Sequence, residues 1–157
     1  MPDDGAVNQS VAGSWLGQYF YPGGVAGSNF EAVFVQSGSA IEGNILDAGG
    51  LGEARAAGSF SFPRITFTKT YVSAGYEPID YVGAMSDEGK IMLGYWRIDR
   101  GPGDAPMHGI WVMHRDGSEE KFDLQKIASE YPLDQEMEKE REKTQARDHE
   151  KQPTQPG

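Results

Sequence analysis

Between residues 13 and 115 the chain is divided into eight short runs rich in β-branched and aromatic residues, each set off from the next by Gly, Pro, Ser, Asn or Asp. The runs are 13–21, 29–37, 39–46, 53–60, 64–72, 78–86, 89–98 and 108–115, and they recur about every 10–14 residues. That spacing leaves no room for crossover helices, so strands adjacent in sequence are expected to pair antiparallel. Ser37-Gly38 and Asp87-Glu88-Gly89 carry the residues of tight hairpin turns.

The alternation within the runs says how such a sheet is buried. In 64–72, Ile65, Phe67, Lys69 and Tyr71 alternate with Thr66, Thr68 and Thr70, so one face is largely apolar and the other bears hydroxyls. In 39–46, Ile41, Gly43 and Ile45 oppose Glu42 and Asn44, and Leu46 breaks the pattern. Glycine makes up 21 of 157 residues, nearly twice the ~7% of an average protein, and Gly17, Gly43, Gly58, Gly83, Gly94 and Gly109 fall inside strands. Glycine weakens a flat strand, so its presence here points to strong bending. Bending eight strands into a closed barrel would also remove the unpaired edges of an open sheet. The expected fold is therefore all-β: an antiparallel up-and-down barrel of about eight strands.

Beyond Arg115 the pattern changes. Asp116-Gly117 is a turn signal, and the apolar residues of 121–127 fall at 122, 124 and 127, which fits a short helix or an extra strand. From Asp134 onward the chain is almost wholly polar. Favourable i,i+3 pairs such as Glu136/Lys139 compete with like charges at i,i+4 such as Glu136/Glu140. The expected organisation is a flexible N-terminus over 1–12, a barrel over 13–127, and a charged tail over 128–157 that is disordered or marginally helical.

The net charge is −10 and no basic stripe occurs in the first 116 residues, so nucleic acid is not an expected partner. No run approaches the ~20 apolar residues that span a bilayer, and Met1-Pro2-Asp3-Asp4-Gly5 lacks the features of a signal peptide. A cytoplasmic protein that does not enter membranes is expected. The chain has no cysteine, which removes disulfides and thiolate chemistry. It also lacks a Gly-x-Ser-x-Gly elbow, a Walker loop and a dinucleotide fingerprint, so no cofactor is expected. His108 and His114 have no suitably spaced third ligand, His149 lies in the tail, and no metal site is expected. Arg100 to Pro106 is expected to form a flexible rim loop.

Gly13-Ser14-Trp15-Leu16-Gly17-Gln18-Tyr19, Ile41-Glu42-Gly43, Tyr81-Val82-Gly83, Gly94-Tyr95-Trp96 and Gly109-Ile110-Trp111 form a series over residues 13–115. This series resembles the calycin barrels, the lipocalin, fatty-acid-binding and avidin families. The resemblance implies that Trp15 closes one end of the barrel and that Arg115, on the last strand, packs over it. Avidin-like proteins follow the first Trp with Asn and then Leu-Gly-Ser; this chain has Leu16-Gly17-Gln18 and so lacks the biotin-binding motif.

Tyr19, Phe34, Phe67, Tyr71, Tyr81, Trp96 and Trp111 are the aromatic residues that could line an interior site, with Lys69 among them on the face of Phe67 and Tyr71. A lysine aimed into a barrel needs an anionic partner. A ligand carboxylate would supply one; an internal pair with a neighbour such as Asp80 would supply another. Three functional readings follow. The first is a binder of a small apolar or amphipathic anionic ligand. The second is a protein-interaction module that uses the exterior and the tail, and the third is a cofactor-free barrel enzyme. No catalytic pair stands out, because carboxylate pairs such as Asp87/Glu88 lie in hydrophilic turns.

Overall fold

A computed structural model describes residues 9–48, 52–73, 76–99, 103–117, 120–140 and 142. It contains eight strands: β1 (Gly13–Tyr21), β2 (Val25–Ser37), β3 (Ala40–Asp47), β4 (Gly52–Ser61), β5 (Arg64–Tyr71), β6 (Ile79–Met85), β7 (Ile91–Ile98) and β8 (Met107–Arg115). Each pairs antiparallel with the next, and β8 pairs back onto β1 through Trp15↔Arg115 to Phe20↔Ile110, which closes the barrel. The closed, antiparallel, up-and-down barrel is the fold expected from the strand spacing.

Most strand limits shift by one or two residues from the expectation, and two of the differences matter to the interior. β2 begins at Val25 rather than 29, because only Pro22–Gly24 turns the chain and Val25 already pairs with Tyr21. Gly27 belongs to this extra length, and the Tyr19 ring lies where its Cβ would stand. β3 ends at Asp47 rather than 46. Leu46 points outward at 53% exposure and Asp47 points in, so the alternation of Ile41, Gly43 and Ile45 continues unbroken.

The inward set of β5 is the one read from its period: Ile65, Phe67, Lys69 and Tyr71 are all buried. Inward glycines serve close approach as well as bending. A Cβ on Gly83 would stand 2.5 Å from Trp111 Cζ2, and one on Gly94 would stand 2.5 Å from the Gly83 Cα across the β6–β7 ladder. Removing these side chains lets the large rings cross the interior.

A second, smaller core lies outside the wall. Segment 121–127 leads into a helix, α1 (Leu124–Ser129), whose N-cap Asp123 accepts from the Lys126 N–H at 3.1 Å. Ala128 is buried against Phe20 and Val112, with Leu124, Ile127 and Ile110 packed around them. Residues 133–140 are also helical, and Glu140 pairs with Arg64 on the barrel. Residues 1–8 and 143–157, the outer parts of the two terminal segments, lie outside the described residues, as do Arg100 to Pro102 of the rim loop. No helix among the described residues is long and apolar enough to cross a membrane.

Candidate ligand site

Alternating hairpins give the barrel two distinct ends. One end is sealed. Trp15 is fully buried and its indole N–H donates to the Val11 carbonyl at 2.9 Å. The Arg115 guanidinium lies 4.4 Å from the centre of the Trp15 ring and donates to the carbonyls of Gly89 at 2.7 Å and Ser10 at 2.6 Å. Gln36 holds the same segment, accepting from Ser10 Oγ and from the Val11 N–H, both at 3.0 Å. Trp15 and Arg115 are thus in contact, as the calycin resemblance implies.

The middle of the barrel is filled. Phe67 stacks on Tyr81 at 4.7 Å, touches Phe34 at 5.5 Å and leans on Trp111 at 6.1 Å. Trp111 is pinned there by donating to the Tyr95 carbonyl at 3.0 Å. Phe34, Phe67 and Trp111 therefore form packed core below the site.

The other end opens into a cavity of about 160 Å³. Its wall includes Tyr19, Tyr71, Tyr81 and Trp96, which the sequence singled out, together with Tyr21, Tyr76, Glu77, Ile79, Ile98 and Met107, which it did not. Tyr19, Tyr21 and Trp96 meet edge to face, with centroids 5.8–6.4 Å apart, and the Trp96 N–H is tied to the Phe20 carbonyl at 3.2 Å. Tyr76 contacts Tyr71 at 5.2 Å. Of the lining residues, Tyr76 is 50% exposed and Glu77 is exposed beside it.

Beside the aromatic wall lies a polar cluster in which Tyr71 borders the cavity and Asp47 and Lys69 do not. Lys69 is completely buried and donates to both carboxylate oxygens of Asp47, at 2.9 and 3.0 Å. The Tyr71 hydroxyl donates to the same carboxylate. The internal partner of Lys69 is therefore Asp47, not Asp80, which instead accepts from Thr68 Oγ1 at 2.9 Å on the outside of the wall. The ammonium also sits 4.9–5.8 Å from the ring centres of Tyr71, Tyr19, Phe30 and Tyr81. Burial lowers the Lys69 pKa and the Asp47 charge opposes that shift. The Tyr71 phenol is pushed well above its ordinary range, first by burial and then by its bond to Asp47. Burial and the Asp47 charge raise Tyr81 as well.

Asp47 and Lys69 pair with each other and do not line the cavity, so the polar side chains among its lining residues are tyrosines and Glu77. The two histidines of β8 do not converge on the site. His114 lies against Phe122 at 5.2 Å, and among the described residues no group of three metal-ligating side chains comes together. No protein-family model matches the chain, and none of the curated proteins matches it significantly.

Proposed function

We propose that the chain is a calycin-like barrel that binds one small, largely apolar ligand through its open end. The observation that carries this reading is the aromatic cavity at the mouth of an otherwise filled barrel. Its volume of about 160 Å³ is far below that of a drug-sized site, ~300–1,000 Å³, and close to the ~150 Å³ of a cavity that takes up benzene. One ring-sized group fits. The Trp15–Arg115 contact supports the calycin assignment, and the half-exposed Tyr76 in the cavity wall supports entry from this side.

Lys69 suggested an anionic ligand in the sequence, but Asp47 already neutralises it. The anchor for any polar atom of the ligand is then a tyrosine hydroxyl. Calorimetry and tryptophan fluorescence with phenol and cyclohexanol test the reading, since Trp96 borders the cavity. Saturable binding at 1:1 supports it. Silence from both probes in both measurements overturns it.

A second reading, a protein-interaction module, draws on the outer wall. Val33, Val35 and Leu46 are 50%, 63% and 53% exposed on β2 and β3. Leu46 also borders a groove of about 450 Å³ shared with Leu16, His114 and Leu124. An enzyme reading has less support, because Asp47 and Lys69 are both sealed from the cavity.

A further inference from the structure

Resting on the open-end site just described, we propose that its ligand is a small organic cation, a trimethylammonium or protonated amine group held against the aromatic wall. Among the described residues lining the cavity, Glu77 is the one charged side chain, and no lysine or arginine lines it. The rest of the wall is dominated by Tyr19, Tyr71, Tyr76, Tyr81 and Trp96. Aromatic faces carry partial negative charge, and a desolvated cation over them gains about 2 kcal/mol. An anion in the same place would meet those faces and the Glu77 carboxylate.

The barrel already uses this chemistry beside the cavity. Lys69 Nζ lies 5.6 Å from the Tyr19 ring centre, 4.9 Å from that of Tyr71 and 5.8 Å from that of Tyr81. All three rings also border the cavity. Lys69 does not make the site cationic, because both Asp47 oxygens lie within 3.0 Å of its nitrogen. The overall charge of −10 favours the approach of cations to the molecule over that of anions. The volume of about 160 Å³ admits a single trimethylammonium head group and little more.

Choline and 3,3-dimethylbutan-1-ol have the same shape and differ by one charge, and 3,3-dimethylbutanoate supplies the anion. Calorimetric titration of the full chain with all three is the test. Choline is expected to bind about tenfold more tightly than the alcohol, with the butanoate weakest. Equal binding of choline and the alcohol, or a preference for the butanoate, overturns the cation assignment and leaves the open-end site standing. Silence from all three, together with silence from phenol and cyclohexanol, removes the site itself. Glu77→Gln, a change at an exposed position, is expected to weaken choline about two- to fivefold and leave the alcohol unaffected. If choline also binds the Gln variant unchanged, the carboxylate has no part in recognition.

Discussion

At the Trp15 end of the barrel the strands are joined by residues 38–39, 62–63 and 86–90, whereas at the Tyr76 end they are joined by 22–24, 48–51, 72–78 and 99–106. At the first end the segment before β1 forms a bonded plug with the strands and the 86–90 connection: Trp15 to Val11, Arg115 to Gly89 and Ser10, and Gln36 to both Ser10 and Val11. At the other end the rings touch but leave about 160 Å³ between them. The same alternation of strands thus builds one end for stability and leaves the other unfinished. Gaps forfeit dispersion contacts and hydrophobic stabilisation, so an end that remains open does so at the expense of the fold.

Substitution at the sealed end is expected to have the largest effect. Trp15→Ala removes a fully buried indole and strands the Val11 carbonyl, for a loss of about 4–5 kcal/mol. Denaturant unfolding measures it. A loss below about 1 kcal/mol would show that the plug is not a structural centre and that the contrast between the ends is mistaken.

Next in size is the buried ion pair beside the cavity. Asp47→Asn leaves the Lys69 charge uncompensated and is expected to destabilise by about 3 kcal/mol. The double variant Asp47→Asn/Lys69→Met removes the charge along with its partner and should recover much of that loss. If the two single changes simply add, the pair is not coupled and the Lys69 ammonium has another source of compensation.

Asp47 also marks how far the sequence could be read. The period of Ile65, Phe67, Lys69 and Tyr71 placed Lys69 inside because that signal lies wholly within a regular strand, while the contact of Arg115 with Trp15 was implied by the calycin resemblance. Asp47 shares the parity of Ile41, Gly43 and Ile45, and one more step of that count would have put a carboxylate beside Lys69. Its setting, Asp47-Ala48-Gly49-Gly50, has the composition of a turn, and Leu46 looked like the end of the alternation. Tyr21, Tyr76 and Glu77 were hidden in the same way by neighbouring Pro22, Gly75 and Pro78. Phe67 and Tyr71 share a face, yet one fills the core and the other borders the cavity. What separates them is height along the strand and the rotamers of neighbouring rings, and a period of two carries neither.

Alkaline pH separates the two ends by a smaller amount. Tyr71 and Tyr81 have pKa values raised above the ordinary 10.0, so an unfolded chain loses these protons before the folded one does. Their contribution is intact below pH 10 and is lost above it, at about 1.4 kcal/mol per pH unit for each phenol. Lys69 acts in the opposite sense. Its lowered pKa lets the folded state release a proton early, so stability gains with pH up to the unfolded value of 10.5. Stability is therefore expected to hold or rise up to about pH 10 and then to fall, with the Tyr71 and Tyr81 share of the phenolate absorbance delayed until unfolding. Tyr71→Phe should make the fall shallower. Ionisation of Tyr71 and Tyr81 near pH 10 without unfolding would mean that the open end is far wetter than its geometry indicates.

The smallest effect on stability is expected at the mouth, where Tyr76→Ala separates fold from function most sharply. Tyr76 is 50% exposed, lies outside every strand and touches Tyr71 through one ring contact at 5.2 Å. Its removal should change unfolding free energy by less than about 0.5 kcal/mol, as for an ordinary surface position. Yet it forms part of the cavity wall, and a bound ring or cation loses one of its contacts there. Affinity for phenol or choline should therefore drop several-fold, by the ~0.5–1.5 kcal/mol typical of one aromatic contact. Paired denaturation and titration curves on the same preparation read both quantities. A large loss of stability would make Tyr76 part of the structural framework, and the two ends of the barrel would then differ only in degree. Unchanged affinity with unchanged stability would move the ligand deeper, toward Tyr81 and Trp96, and away from the rim.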